Sequence, residues 1–105
     1  MTYEAKDIGR LVLDLVADVD IRRVSKARVK KKFGTAVAGI TDNYKANKIY
    51  ISKGQQHAET IRCILHELSH YYSIKYENIP LEKQNEDSVE ERAAKWQKIL
   101  YGDDL

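Results

Sequence analysis

His66-Glu67-Leu68-Ser69-His70 is the stretch of this chain best suited to chemistry. Histidines four residues apart stack on one face of a helix, so their imidazoles can converge on a single metal ion. Glu67 projects from an adjoining face, where it can reach a water on that metal without itself being a ligand. Zinc lowers the pKa of such a water toward about 7 and polarises a carbonyl, and a glutamate so placed takes the proton as the water attacks. The chain has three His and eight Glu. Shuffling its composition would give this pattern roughly four times in a thousand, a low accidental rate for a short motif.

A catalytic zinc site takes three protein ligands and keeps one position for water. No histidine follows His70, and Ser73 and Tyr76 exclude an HExxHxxGxxH arrangement. His57 lies upstream on the core side of the same helical wheel and reads as a residue of the helix start. The third ligand must then be a carboxylate from Glu77, Glu82, Glu86, Glu90 or Glu91. A final helix is expected over residues 88–101, with Val89, Ala93, Trp96 and Leu100 as its apolar stripe. Ser88 followed by Glu91 resembles a capping box at its start. With Val89 at 0°, Glu90 falls at ~100°, on the flank of the buried face, and Glu91 at ~200°, toward solvent. Glu86 would fall at ~60° but is expected to precede the helix. Glu90 is therefore the first choice and Glu86 the second.

The elements that must position these residues follow from periodicity. Residues 56–76 read as a long helix, with Ile61, Ile64, Leu65, Leu68, Tyr71 and Tyr72 on one face and His66 and His70 opposite. Asn78-Ile79-Pro80 ends it. Residues 4–18 place Ile8, Leu11, Val12, Leu15 and Val16 at helical spacing. Residues 35–41 and 48–52 carry β signals on either side of a polar turn, so a hairpin is expected, with Ile49 and Ile51 on one face and Tyr50 on the other. Residues 19–33 are ambiguous and read as a helix end running into a strand.

His66-Glu67-Leu68-Ser69-His70-Tyr71-Tyr72, followed by Glu90-Glu91-Arg92-Ala93-Ala94-Lys95-Trp96, resembles the gluzincin pattern of HExxH and a later ExxA. It is most similar to the small bacterial and phage metallopeptidases of the ImmA/IrrE group. There a strand ending in Ile-x-Ile precedes HELxH, as Lys48-Ile49-Tyr50-Ile51 does here. A later helix reads ExxAxxF, with Trp96 in the last place. The resemblance covers about residues 34–100. It implies zinc ligation by His66, His70 and Glu90, with Glu67 as general base. It also implies an α+β, minimal zincin-like domain: an N-terminal helix, a small sheet of about three strands, the HExxH helix and a C-terminal helix. By analogy, the substrate is a peptide or protein, and a regulatory protein in some of the group. Ser69 stands where the group has Gly, and the basic run before the sheet is no part of its motif.

That run is Arg22, Arg23, Lys26, Arg28, Lys30, Lys31 and Lys32. It reads as a solvated face or as a contact for DNA or another acidic partner, which would make the chain a zincin scaffold acting as a binding module. Cys63, one turn before His66, reads as a small residue of the site helix or as a thiolate competing for zinc. The tyrosines read as core aromatics, and Gly102-Asp103-Asp104-Leu105 as a frayed tail.

Composition sets the outer bounds. One hundred and five residues make a single domain, 1–105, with 43% hydrophobic and 32% charged residues. Collagen-like, low-complexity and wholly disordered classes are excluded. No apolar run spans a membrane and no leader is seen, so a cytoplasmic location is expected, in keeping with one cysteine. Residues 1–58 carry 12 Lys/Arg against 6 Asp/Glu, and residues 59–105 carry 6 against 10. The acidic half is where a carboxylate ligand must be found.

Overall fold

A computed structural model of the chain describes residues 5–33, 39–41 and 47–102, with the backbone alone at 5, 32, 33 and 39–41. The described elements are α1 (Ala5–Asp18), β1 (Asp20–Val24), α2 (Lys26–Phe33), β2 (Gly39–Thr41), β3 (Lys48–Ser52), α3 (His57–Glu77), a 3-10 turn (Leu81–Lys83) and α4 (Glu86–Tyr101). The class is α+β, as expected. The sheet has the order β1-β3-β2, with β1 parallel and β2 antiparallel to the central β3.

The hairpin expectation holds where it can be seen: Gly39, Ile40 and Thr41 pair with Ile51, Tyr50 and Ile49. The remainder of the first β signal and the turn at 42–46 lie outside the described residues. The ambiguous stretch 19–33 is a strand followed by a helix, the reverse of the expected order. Ser25 makes the change of direction. Its hydroxyl accepts from Arg28 N at 3.2 Å and its carbonyl from Val29 N at 3.1 Å, starting α2 immediately after β1. β1 then joins β3 in parallel register from Asp20↔Lys48 to Val24↔Ser52.

The sheet is covered on both faces. Ile49 and Ile51 are fully buried and cluster with Leu65 and Leu68 of α3, Ile8 and Leu15 of α1, and Ala93 and Trp96 of α4. Alternation along the strand turns Tyr50 the other way. Tyr50 is nevertheless buried, and so is Val29 of α2, which lies outside that cluster while α2 packs on β3. Hence α2 covers the face opposite α3. Val16, expected in the α1 stripe, is instead exposed, because the stripe centres on Ile8, Leu15 and the flanking Leu11 and Val12.

α3 is the central helix, flanked by α1, α4 and the sheet. For that reason the face opposite its apolar stripe is also covered: Glu67, Ser69, His70 and Ser73 are buried. Tyr71 and Lys75 reach back to Asp18 at the end of α1. On the α4 side Arg92 donates to Ser69 O, Ser73 Oγ and Glu77 Oε1 at 3.2, 3.0 and 2.9 Å and lies over the Tyr72 ring.

The Ser73 hydroxyl and the Arg92 guanidinium hold the Glu77 carboxyl below the usual carboxylate range. A depressed folded-state pKa means the contribution is complete above the unfolded value and is lost as pH falls through the folded one. Glu77→Gln should therefore cost about 0.5–1 kcal/mol at pH 7, the range of a partly exposed pair. Urea melts should converge with wild type as pH drops through the folded-state value. A difference that persists in acid would show that the carboxylate charge is not its source.

Candidate metal centre

The site begins with how two helices end and start. α3 stops at Asn78, whose N–H bonds Ser73 O and whose left-handed backbone (φ 55°) turns the Ile79 N–H back to the same oxygen at 3.1 Å. Ile79 and Pro80 lead into the 3-10 turn, and Gln84 then folds back over α3. Asn85 starts α4: its side chain accepts from Asp87 N at 2.9 Å and Ser88 N at 3.1 Å. The expected start at Ser88 is thus corrected. The Asn85 cap brings Glu86 and Asp87 into the first turn, where the helix dipole favours acidic residues.

That earlier start decides which carboxylate meets the two histidines. Glu86 and Glu90 are now one turn apart on a single face of α4, beside the Val89, Ala93 and Trp96 face that packs inward. Glu86 reaches both motif histidines. Its two oxygens lie 3.2 Å from His66 Nε2 and 3.1 Å from His70 Nε2. The donor atoms of His66, His70 and Glu86 all lie within 4.8 Å of one another, so this group could hold a metal ion. Bonds of 2.0–2.1 Å to a tetrahedral cation would place ligand atoms roughly 3.3 Å apart. The two histidine–carboxylate spacings match that value, so the donor set fits.

Glu90, the first choice from the sequence, does not join the triad. It lies behind the His66 ring: its Oε2 is 2.6 Å from His66 Nδ1. Gln84 does the same for the other histidine, with Oε1 2.7 Å from His70 Nδ1. The amide of Gln84 has its orientation set by its own donors, since Nε2 bonds His70 O at 3.1 Å and Ile79 O at 3.0 Å. Oε1 must accept, so His70 Nδ1 donates to it and Nε2 is the ring atom turned to the metal position. Against the Glu90 carboxylate, His66 Nδ1 likewise donates. Both rings are thereby held in the orientation a metal needs, with Nε2 inward.

Glu90 is itself held. Arg62 Nε donates to its Oε1 at 2.7 Å, and Arg62 Nη1 donates to Gln97 Oε1 at 2.6 Å. Burial pushes the Glu90 carboxyl upward, but the Arg62 and His66 hydrogen bonds outweigh it and hold it below its usual range. Arg62 was not among the residues singled out from sequence. Its place one turn before His66 on the same helix face was the available signal. Arg62→Ala should weaken metal binding about tenfold through the loosened Glu90, within the range for supports of ligating histidines. A metal titration of the folded variant checks this, and an unchanged affinity would remove Arg62 from the site.

Glu67 is buried, 5% exposed, between His66 and Leu68 on α3. Cys63 donates to Gln55 Oε1 at 3.3 Å, and burial pushes its thiol up, so it is neither in the triad nor poised as a thiolate. His57 is the exposed first residue of α3. Among the other carboxylates, Glu77 is taken by Arg92 and Ser73, while Glu82 and Glu91 are exposed outside the triad. The triad is open on its Glu86 side, with the Glu86 side chain 69% exposed, His66 23% and His70 6%. A groove of about 510 Å³ lined by Ile8, Leu11, Tyr72 and Trp96 is separate and includes none of the three residues. The basic residues Arg22, Arg23, Lys26, Arg28, Lys30 and Lys31 are exposed on β1 and α2; the Lys32 side chain lies outside the described residues. No helix among the described residues is long and apolar enough to cross a membrane. No protein-family model, curated protein or solved structure matches the chain.

Proposed function

We propose that the chain is a zinc-dependent endopeptidase of gluzincin type, with His66, His70 and Glu86 as ligands and Glu67 as general base. The convergence of two Nε2 atoms and one carboxylate, with both Nδ1 protons held from behind, is the observation that carries this reading. A two-histidine, one-carboxylate set also serves non-haem iron. Glu67, immediately after the first ligand, favours hydrolysis and therefore zinc.

When bound, zinc would polarise the scissile carbonyl and make an attacking water acidic enough to lose a proton near neutral pH. The protein supplies the remainder. Glu67 accepts the proton from the water and passes it to the leaving amine, so that one carboxylate serves both halves of the reaction. Glu90 and Gln84 hold the two imidazoles from behind, with each Nε2 aimed at the metal position. The open side of the triad admits a peptide chain. β2 is a sheet edge that packs beside α3, so an extended substrate can pair with it by adding a strand.

The test is incubation of the zinc-loaded protein with a mixed peptide library, read by mass spectrometry. Internal cleavage that stops on chelation and returns with zinc is the expected result. A protein that holds one zinc and cuts no peptide would contradict the reading.

A further inference from the structure

From Ile21 to Thr41 the sequence has seven basic residues and no acidic one. β1 and α2 turn this run into a surface. Arg22 is paired with Asp20 at 2.9 Å. Arg23, Lys26, Arg28, Lys30 and Lys31 are exposed and have no ion pair among the described residues.

The arrangement around α2 is specific. The helix is anchored through Val29, 1% exposed, against β3. With Val29 pointing at the sheet, Ala27 and Lys31 lie within ~20° of the outward crest, and Arg28 and Lys30 stand ~80° to either side. One cation and a small alanine thus form the crest, with a cation on each flank. That pattern complements two rows of negative charge separated by the width of a helix. The DNA major groove, about 12 Å wide, admits a helix about 10–12 Å across and has a phosphate row on each lip. An acidic peptide presents a single row, which a one-sided stripe would meet as well. Residues 26–31 include no Asn or Gln to read adenine edges.

We infer that α2 and the adjoining end of β1 dock on duplex DNA, contacting phosphates on both sides of the major groove. α2 covers the sheet face opposite α3, so docking leaves the His66–His70–Glu86 triad clear. The inference does not depend on the peptidase reading, because DNA binding is measured without reference to metal or cleavage.

The experiment is fluorescence anisotropy of the full chain with a labelled duplex of about 20 base pairs over a salt series. Three to five phosphate contacts predict a slope of log Kobs against log salt between about −3 and −4.5. Arg28→Gln, Lys30→Gln and Lys31→Gln together should weaken binding at least about tenfold at 50 mM salt and flatten the slope by about 2 to 3, with an unchanged circular dichroism melt. If the triple variant melts early, Lys31→Glu alone should still weaken binding several-fold. No binding at about 50 mM salt, or variants that bind like wild type, would overturn the inference. So would a polyglutamate of equal charge that competes as well as the duplex, which would assign the surface to an acidic protein.

Discussion

Glu86→Ala is expected to weaken zinc binding by more than about 100-fold, and Glu90→Ala by about 10- to 100-fold. The two carboxylates are one turn apart on α4 and both touch His66, yet they do different work. Glu86 meets the Nε2 atoms of His66 and His70 at 3.2 and 3.1 Å, on the side where a metal would be held. Glu90 meets His66 Nδ1 at 2.6 Å, on the far side of the ring. Removing Glu86 takes away one of three ligands. Removing Glu90 leaves all three but frees the His66 ring and strands Arg62. Competition titrations against a chelator of known affinity rank the two variants. Should Glu90→Ala prove the more damaging, the ligand and its support would have to be exchanged.

Glu67→Gln should bind zinc within a few-fold of wild type and lose peptide cleavage by about 10²- to 10⁴-fold, the usual contribution of a positioned acid–base group. The amide keeps the size of the carboxyl at a position only 5% exposed. Gln is thus a better probe than Ala, which would leave a hole in the α3 packing. An amide cannot take a proton from water at neutral pH, so the proton transfer is lost while the ligands stay. Zinc content, thermal melt and cleavage rate measured on one preparation separate these effects. Retained cleavage would remove Glu67 from the chemistry, and loss of zinc would make it a structural residue of the site.

The elements with the strongest periodicity were the most legible. The site helix expected over 56–76 is His57–Glu77, and the strand expected over 48–52 is Lys48–Ser52. Both have unambiguous stop signals, at Lys53-Gly54 and at Asn78-Ile79-Pro80. The failures were local competitions between signals. Ser88 and Glu91 imitate a capping box, but Asn85 with Glu86 and Asp87 behind it is the cap that forms. Three residues' difference in a helix start put Glu86 outside α4 on the wheel and promoted Glu90 in its place. In 19–33, Val24 and Val29 suit strand and helix alike, and only the Ser25 cap and the pairing with β3 decide between them. Gln84 could not be found from spacing at all, since its role depends on the path between two helices.

The central claim is that one zinc is held by His66, His70 and Glu86. Crystals of the zinc-loaded protein, measured at the zinc absorption edge, test it most directly. The account predicts a single anomalous peak about 2.0–2.2 Å from His66 Nε2, His70 Nε2 and a Glu86 oxygen, with Glu90 on His66 Nδ1. A peak bonded to Glu90 in place of Glu86, or no peak between the two histidines, would contradict it.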